Sequence, residues 1–294
     1  MADKYAITIG KFEALHLGHA HLINATVEYA KKNSLASAVM SFTNPHPAQV
    51  LFDSEYKPLL TTKEQAFLLE NWVDLWIPYP FSNSFAQISA KKFCEILQNK
   101  YNCAALVVGE NFRFGHKREG TAESLQAFGI DVCVVPHLQL DSEKISTSQI
   151  RKHLVDGDLD EANKLLGFPF PIIGVVAEGR KLGRTIGFPT ANINLSGDKL
   201  LPPNGVYASK IKIPSRDAEY FGITNIGVNP TVTDEKVRKA ETFIFDFDED
   251  IYGEEILVQL CRFIRPEQSF SGVDALKLQI AKDVKAALCY PQTS

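Results

Sequence analysis

The chain has 294 residues, of which 45% are apolar and 22% charged, and its formal net charge is −4. This length suits about two globular domains, and the weak negative charge gives no overall attraction to nucleic acid or to an anionic membrane. The apolar runs are far shorter than the roughly 20 residues that cross a bilayer, and the first residues lack a basic-then-apolar export signal. Five cysteines without a Cys-x-x-Cys pair favour neither a disulfide framework nor a zinc site. We therefore expect a cytoplasmic protein that binds no nucleic acid and no membrane.

The first half of the chain alternates strand and helix patterns. Short apolar runs that predict strands are followed by amphipathic stretches that predict helices. The predicted strands are 5–10, 37–42, 73–77, 104–108 and 131–135, and the predicted helices are 17–32, a segment from Thr61 through 66–69, 85–98 and 122–128. This βαβα order predicts a parallel sheet covered by helices, with ligands at the carboxyl ends of its strands.

The pattern changes after residue 145. One more helix is predicted at 157–166, where Gly167 and Pro169 end it. Strand patterns without intervening helices then cover 172–177, 205–213, 220–226, 241–247 and 255–264, before a final amphipathic helix at 274–288. Consecutive strands separated by Gly/Pro turns predict a small antiparallel barrel. We expect one domain at residues 1–170 and a second at 171–294 that folds alone.

Two histidines follow the first predicted strand, in the run IGKFEALHLGH at positions 9–19. The N-terminus of the following helix offers unpaired N–H groups and a positive dipole end to a phosphate. Gly18 allows close backbone approach, and His16 and His19 lie one helical turn apart on one face. Such donors could stabilise charge on a nucleotide phosphate. Two surface histidines, or a metal site that includes His21, are the alternatives.

The most specific stretch is GVVAEGRKLGRTIGFPTAN at positions 174–192. A Gly-rich basic turn can cradle phosphates through backbone N–H groups, and Thr190 and Asn192 offer the oxygen ligands that Mg²⁺ prefers. A glycine-rich hairpin without a ligand is the alternative. All seven histidines lie before residue 154, so a general base in the second domain must be another residue type.

These motifs resemble those of bacterial bifunctional riboflavin kinase/FAD synthetases. The segment at 9–19 is similar to the family's His-x-Gly-His element, and the run at 174–192 to the riboflavin kinase signature that ends in Pro-Thr-Ala-Asn. Further similar segments follow in the family's order: Pro45-His46-Pro47, GENFRFG at 109–115, ISTSQIR at 145–151, GVYA at 205–208, NIGVNPT at 225–231, ETFIFDF at 241–247 and RPE at 265–267. The resemblance covers about residues 7–290.

The resemblance implies a fold and two activities. The fold is a Rossmann-like nucleotidyltransferase domain followed by a six-stranded flavokinase-type barrel with a C-terminal helix. The second domain would phosphorylate riboflavin with ATP, and the first would join AMP from a second ATP to FMN. Mg²⁺ is the implied cofactor. The partners are then riboflavin, FMN and ATP, and we expect a monomer or a weak homo-oligomer.

The resemblance also implies roles for individual residues. His16 and His19 would be catalytic in the first domain and Glu241 would be the kinase's general base, while Thr190 and Asn192 would hold Mg²⁺. The implied ATP and phosphate contacts are Gly10, Phe12, Gly18, His19, Ser146, Thr147, Arg151, Gly179, Gly183, Arg184 and Thr190. The implied flavin contacts are Pro45, His46, Asn111, Phe112, Arg113, Arg265 and Glu267.

Six positions depart from the family's pattern, which indicates a divergent member. Where the family usually has Asn, Asp, Gly, Asp, Ser and His, this chain has Lys11, Glu13, Ala14, Asn111, Thr147 and Phe243. Ala14 has the largest expected effect, because a glycine beside a phosphate can be required for a positive φ or for close approach. Three alternatives stay open: a paralogue active in one step, a non-catalytic flavin-binding regulator, and a nucleotidyltransferase for another substrate.

Overall fold

The computed structural model describes residues 3–43, 45–140, 143–178, 187–195, 197–216, 218–228 and 238–289. The chain packs as two compact units, Met1–Thr147 and Ser148–Ser294. The functional boundary that we expect near residue 170 stays a prediction. In the described part of the chain, no helix is both long enough and apolar enough to cross a membrane.

The first unit is built on a parallel sheet of five strands with helices between them, which confirms the predicted α/β architecture. Its strands are β1 (Tyr5–Gly10), β2 (Ala36–Thr43), β3 (Leu75–Pro80), β4 (Cys103–Gly109) and β5 (Asp131–Val135). Its helices are α1 (Leu17–Lys32), α2 (Pro47–Leu51), α3 (Thr62–Leu69), α4 (Asn83–Ala86), α5 (Ala90–Tyr101) and α6 (Ala122–Ala127). A short hairpin of β6 (Gln139–Leu140) and β7 (Glu143–Lys144) follows.

The central strands of this sheet are buried on both faces. In β1 the consecutive residues Ala6 and Ile7 are both almost inaccessible to solvent. The same holds for the consecutive residues Leu106 and Val107 in β4. Strands covered by helices on both sides therefore have continuous apolar runs instead of alternating ones, which is why the sequence pattern locates them well.

The strand order is β3-β2-β1-β4-β5. Strands β2 and β3 lie on one side of β1, and β4 and β5 lie on its other side. The connections that leave β1 and β4 diverge at this point and open a crevice at the carboxyl ends of the strands. Gly10 ends β1 and Gly109 ends β4 at this edge. The topology thus places a crevice at the strand ends where the sequence predicts a ligand site.

Helix bounds differ from the prediction where a local cap decides them. The predicted helix at 85–98 is wrong: it is two helices, because the Ser89 side chain accepts a hydrogen bond from Lys92 N and starts α5 anew. Helix α2 was not predicted. Its N-cap is His46, whose Nδ1 accepts from Ala48 N, and histidine is outside the usual set of capping residues.

The second unit contains a closed antiparallel barrel of six strands, as expected, in the order β10-β11-β12-β9-β8-β13. The strands are β8 (Phe170–Ala177), β9 (Thr190–Asn194), β10 (Gly205–Lys212), β11 (Glu219–Val228), β12 (Arg238–Ile244) and β13 (Glu255–Arg265). The helices are α7 (Thr147–Asp156), α8 (Leu159–Leu166) and α9 (Val273–Leu288).

Two strand predictions in the barrel need correction. Strand β9 is not among the predicted strands, because Thr190 and Asn192 end a Gly-rich run whose pattern indicates ligand binding. The strand predicted at 241–247 begins three residues earlier, at Arg238, and ends at Ile244. Asp246 then adopts a positive φ of 52°, which turns the chain away from the barrel.

Hydroxyl groups inside the barrel link three neighbouring strands. The Ser209 hydroxyl donates to Thr224 Oγ1 at 2.8 Å, and the hydroxyl oxygens of Thr224 and Thr242 are 3.0 Å apart; all three side chains are buried. Side chains alternate between the two faces of a strand. Because Thr242 points into the barrel, Glu241 and Phe243 lie on the outer face of β12.

Asn163 anchors helix α8 to the barrel. Its Nδ2 donates to the carbonyl oxygens of Leu260 at 2.9 Å and Cys261 at 3.1 Å, and its Oδ1 accepts from Phe170 N at 2.9 Å. One side chain therefore supplies partners to the backbones of both β13 and β8. Helix α8 belongs to the packing of the second unit, although it precedes residue 171.

We expect a fragment of residues 148–294 to unfold at a higher temperature than one of residues 171–294, which lacks α8. In the longer fragment, Asn163→Ala should lower the free energy of unfolding by about 1–3 kcal/mol, because backbone groups lose their partners. Thermal and denaturant unfolding followed by circular dichroism measure both effects, with Lys164→Ala on the exposed side of the helix as the control. Equal stability of the two fragments would contradict this role of α8.

Candidate active sites

A cavity of about 300 Å³ lies at the crevice of the first unit. It is lined by the start of α1, the ends of β4 and β5, and the segment that leads into α7. Its polar lining residues are His16, His19, His21, His137, Lys144, Ser146 and Thr147. Gly18 also lines it. The structure thus brings together residues predicted from two motifs that are more than 120 positions apart in the chain.

His16 is the N-cap of α1 and is only 6% exposed. Its Nδ1 accepts a hydrogen bond from His19 N at 3.2 Å, and its ring stacks on the His19 ring with 3.8 Å between the centroids. A Cβ at position 18 would lie 3.1 Å from His16 Cε1, so Gly18 leaves room for this ring. Because Nδ1 is the acceptor, the proton of the neutral imidazole sits on Nε2. His16 therefore offers an N–H donor.

Both imidazoles are neutral at pH 7. Burial lowers the pKa of His16 to about 4; a hydrogen bond with its own backbone opposes this shift, and the charge of Lys144 adds to it. Burial also holds the pKa of His19 well below its usual value, and His16 contributes in the same direction. Within the described residues, His19 Nδ1 is buried without a hydrogen-bond partner. The pair would meet a phosphate as hydrogen-bond donors, not as cations.

The loop between β1 and α1 contains two positive φ angles, 43° at Phe12 and 47° at Leu15. Phe12 is fully buried, and its ring centroid is 5.0 Å from that of His19. Its implied phosphate contact stays a prediction, but its side chain supports His19 from the protein interior. Ala14 is buried and does not take a positive φ. The positive φ angles fall on Phe12 and Leu15, so the positive φ expected at position 14 is wrong, whereas a need for glycine there for close approach to a phosphate stays a prediction.

Glu13 holds the same loop from inside the unit. Its carboxylate is 3% exposed, accepts from the Tyr56 hydroxyl at 2.8 Å and from Leu59 N at 3.3 Å, and lies 3.4 Å from His46 Nε2. The His46 ring stacks on the Tyr56 ring, with 5.1 Å between the ring centroids. His46 is buried and Pro45 is exposed, and the flavin contacts implied for both stay predictions. The buried pair connects the β1–α1 loop to α2.

The other residues with implied flavin contacts in this unit lie after β4. Asn111 Nδ2 is 2.9 Å from His137 Nε2, which lines the cavity. Phe112 is half-buried and stacks on Phe114 at 5.7 Å, and Arg113 Nη1 donates to Phe112 O at 2.7 Å. Asn111 therefore adjoins the cavity through His137. The flavin contacts themselves stay predictions.

Sequence reasoning missed Lys144 and His137. Lys144 Nζ lies 3.3 Å from His137 Nε2, and both line the cavity. Neither belongs to a recognisable motif, and only the hairpin of β6 and β7 brings the lysine to the crevice. Arg151 follows Thr147 by one turn on α7, and Gly10 ends β1 beside the buried Phe12; their implied phosphate contacts stay predictions.

Two cavities flank strand β9 in the second unit. The first, of about 230 Å³, is lined by Glu241, Asn225, Phe188, Phe243, Phe270, Arg265 and Glu267, among others. The second, of about 210 Å³, is lined by Asn192 and by all six residues from Phe247 to Tyr252, among others. We name them the Glu241 cavity and the Asn192 cavity. Among the described residues, Thr190 is the one that lines both.

The register of the barrel explains this arrangement. On β12, Glu241 is paired with Asn192 of β9 on one side and with Asn225 of β11 on the other, and Phe243 is paired with Thr190. Directly opposed residues of antiparallel strands share a face, with Cβ atoms about 4.5–5.5 Å apart. Glu241 therefore lies opposite Asn192, and Thr190 is its diagonal neighbour on the same face.

Thr190 and Asn192 are suited to Mg²⁺ bound together with a nucleotide. Asn192 Nδ2 donates to Thr190 O at 3.1 Å, so the amide oxygen is the atom that a cation would take. A hydroxyl and an amide oxygen match a cation that completes its shell with phosphates and water. Across the described ranges, no three His, Cys, Asp or Glu side chains form a group that could hold a metal, which also removes support from the three-histidine alternative.

The far wall of the Glu241 cavity is tied to α9. Arg265 donates from Nε at 2.9 Å and from Nη2 at 2.7 Å to the buried carboxylate of Asp283. Glu267 accepts from Asn204 at 3.0 Å and from Asn225 at 3.4 Å, and a Cβ at position 227 would overlap its Oε1. Both residues line the cavity, and their flavin contacts stay predictions.

Phe243 packs edge-on against Phe188, with 5.2 Å between the ring centroids. In this chain the position that is usually His therefore forms part of an apolar wall beside Glu241. The phosphate contacts implied for Gly179, Gly183 and Arg184 lie outside the described residues.

Comparison with known proteins places both units. A family model described as FAD synthetase matches residues 1–149, and one described as Riboflavin kinase matches residues 166–290. Proteins described as bifunctional riboflavin kinase/FMN adenylyltransferase from Haemophilus influenzae and Listeria monocytogenes are 37% and 35% identical to this chain. These matches cover 97% and 94% of this chain, and 94% and 89% of the relatives. The chain belongs to this family.

One solved structure matches the fold of almost the whole chain. It is described as a macrolide-efflux protein from Streptococcus pneumoniae, is 32% identical, and superposes with a TM-score of 0.82. The match covers 99% of this chain and 96% of that one. That description applies to the Streptococcus pneumoniae protein. The two family models and the curated relatives of this chain are all described as flavin enzymes.

We expect His16 to destabilise the first unit in acid. Its pKa is about 4 in the folded chain and roughly 6.5 in an unfolded one. Between these values the unfolded state binds more protons, so the free energy of unfolding decreases as the pH decreases. In His16→Gln, the decrease in the free energy of unfolding at low pH should be smaller by up to about 3 kcal/mol. The remaining decrease should include the contribution of His19, whose pKa is also lowered.

Both tryptophans, Trp72 and Trp76, lie in the first unit, so their fluorescence during denaturant titrations at pH 4.5–7.5 reports its unfolding. His116→Gln, at an exposed histidine, is the control. An identical dependence on pH in wild type and His16→Gln would show that His16 is not the group concerned.

Proposed function

We propose that this protein phosphorylates riboflavin to FMN and adenylylates FMN to FAD, with ATP as the donor in both steps. Its family membership and the presence of both modules support this function. The observation that carries the assignment of the kinase chemistry is the position of Thr190 between two cavities, one lined by Glu241 and the other by Asn192.

In phosphoryl transfer the attacking and leaving oxygens lie roughly in line on opposite sides of the phosphorus. Two cavities that share the lining residue Thr190 can hold the acceptor and the donor on opposite sides of the transferred phosphorus. In our proposal riboflavin occupies the Glu241 cavity, where Phe188 and Phe243 supply flat apolar surface for its ring. The nucleotide occupies the Asn192 cavity, with its terminal phosphate at Thr190.

Glu241 is proposed as the general base that takes the proton of the ribityl hydroxyl. Asp248 lines the Asn192 cavity, on the nucleotide side, and the exposed Asp246 is part of neither described lining. Their positions therefore favour Glu241. Thr190 and Asn192 are proposed to hold Mg²⁺, which neutralises phosphate charge when bound.

The adenylyl transfer is proposed for the crevice of the first unit. Here the phosphate of FMN displaces pyrophosphate from the α-phosphorus of ATP. The N-terminus of α1 and the Nε2–H of His16 are fixed donors beside His19, and Lys144 supplies a positive charge in the same cavity. Fixed donors in a confined site stabilise developing phosphate charge without reorganisation during the reaction.

We place the protein in the cytoplasm, where its five free cysteines stay reduced. A monomer or weak homo-oligomer remains the expected state. A paralogue active in one step, or a flavin-binding regulator, would retain the fold without one or both reactions. The two modules allow a direct separation of these possibilities.

Two variants should each remove one activity. Glu241→Gln keeps size and hydrogen bonding but removes basicity, so FMN formation should fall about 10²–10⁴-fold, with FAD formation from supplied FMN unchanged. His19→Ala should lower FAD formation about 10²–10³-fold through loss of one donor, with FMN formation unchanged. Chromatography of riboflavin, FMN and FAD after incubation of the full-length protein with ATP and Mg²⁺ measures both rates.

Asp246→Asn is the matched control for Glu241, because it removes an exposed carboxylate of the same segment that lies in neither described cavity lining, and Asp248→Asn tests the competing carboxylate on the nucleotide side. If a folded Glu241→Gln protein made FMN at the wild-type rate, the base would have to be sought elsewhere. If either variant lost both activities while folded, the two reactions would share a site and the two-module assignment would fail.

A further inference from the structure

The segment that connects β12 to β13 forms one wall of the Asn192 cavity. Six of its residues line the cavity: Phe247, Asp248, Glu249, Asp250, Ile251 and Tyr252. Three of these carry carboxylates, whereas the proposed occupant is a nucleoside triphosphate. Both the position and the negative charge of this segment, which we name the 246–252 loop, therefore affect whether a nucleotide can enter.

Arg216 holds this loop from outside the cavity. It lies between β10 and β11, in a turn where its backbone N–H donates to Ile213 O at 2.8 Å. Its Nε and Nη2 donate to Glu249 Oε2 at 3.0 and 2.8 Å, and its Nη1 donates to Glu254 Oε2 at 2.7 Å. One guanidinium thus connects the middle of the loop to the residue that precedes β13.

Further contacts fix the guanidinium itself. The Ser215 hydroxyl accepts from Arg216 Nη1 at 2.9 Å and donates to Glu254 Oε2 at 2.6 Å. The guanidinium carbon lies 5.8 Å from the ring centroid of Phe247, and that ring packs edge-on against Tyr220 at 5.0 Å. The side chains of Arg216, Glu254 and Glu249 are 22%, 31% and 58% exposed, so solvent screens the contact with Glu249 more than the contact with Glu254.

The charges of the network are arranged to offset each other. Hydrogen bonds from Arg216 and then Ser215 hold the pKa of Glu254 below its usual value. The same guanidinium, shared between two carboxylates, offsets part of the negative charge of Glu249, which lines the cavity. Without that cation, an uncompensated carboxylate on a loosened loop would face the phosphates of the nucleotide.

We infer that Arg216 is a positioning residue for the nucleotide in the kinase step: it fixes the 246–252 loop as a wall of the Asn192 cavity and offsets the charge of Glu249. This rests on the proposed function. Since the described lining of the Glu241 cavity contains no residue of this loop, the effect is confined to the nucleotide.

The test is the steady-state kinetics of FMN formation by full-length Arg216→Gln. The KM for ATP should rise about tenfold, a change in the range that coupled residues of one hydrogen-bonded network produce. The KM for riboflavin should change less than about twofold, and kcat much less than the KM for ATP. Arg216→Lys keeps the charge but cannot reach both carboxylates in the same way, so its KM for ATP should be intermediate, about threefold raised.

Arg262→Gln is the matched control, because Arg262 is an exposed arginine of the same unit whose Nε lies 3.8 Å from Asp160 Oδ2. It should leave both KM values unchanged, and FAD formation from FMN should be unchanged in every variant. The split between the two KM values identifies positioning, since a general loss of structure would change both.

An unchanged KM for ATP in a folded Arg216→Gln protein, or an equal rise in both KM values, overturns the inference. If Arg216→Gln does not fold, Arg216→Lys decides in its place, and a wild-type KM for ATP in that variant overturns the inference. A wild-type protein that forms no FMN would overturn the proposed function and this inference together, whereas FMN formation with unaffected variants would overturn the inference alone.

Discussion

Strand β12 pairs with β9 through residues 239–243, and this pairing sets the geometry of the whole proposed kinase site. It sets Glu241 against Asn192 and Phe243 against Thr190 on the outer face of the barrel. A shift of one residue in this register would turn Glu241 into the barrel interior and Thr242 outward. The buried hydroxyl contacts of Ser209, Thr224 and Thr242 oppose such a shift of β12, because they join β12 to β11 and β11 to β10 in the observed register. The contacts inside the barrel thus determine which side chains lie together on its outer face.

The first unit reaches a comparable result through its loops. The crevice arises from the strand order, but the donors within it depend on the turn from Gly10 to His16. Phe12 supports His19, and Glu13 ties the turn to the segment that contains His46 and Tyr56. Burial then keeps both histidines neutral. The substitution of Glu for the usual Asp at position 13 falls on this buried network and not on the cavity surface.

Much of the fold could be predicted from the sequence, because its signals are local. Continuous apolar runs identify strands buried on both faces, as in β1 and β4, and strand patterns between Gly/Pro turns identify the barrel. The helix break at Ser89 and the cap at His46 were missed, since each depends on a single hydrogen bond of one side chain. Strand β9 is not marked as a strand, because its residues end the Gly-rich segment whose pattern indicates binding of phosphate and Mg²⁺.

The candidate sites were predictable to the extent that motifs mark them. Glu241, Thr190, Asn192, His16 and His19 stand in recognisable segments, and the structure places each of them at a cavity. Lys144 and Arg216 stand in none. Their positions follow from the β6–β7 hairpin and from the turn after β10, which bring isolated charges to a site made by other parts of the chain. The positions of the positive φ angles could not be predicted, because the backbone takes them at Phe12 and Leu15, on either side of Ala14.

The central claim is that phosphoryl transfer occurs directly between occupants of two cavities that meet at Thr190. The stereochemical course at phosphorus tests it most directly, with ATP made chiral at the γ-phosphorus by oxygen isotopes and riboflavin as the acceptor. A single in-line displacement inverts the configuration, and we expect FMN of inverted configuration. Retention would require two successive displacements through a phosphorylated enzyme, and would contradict direct transfer across Thr190.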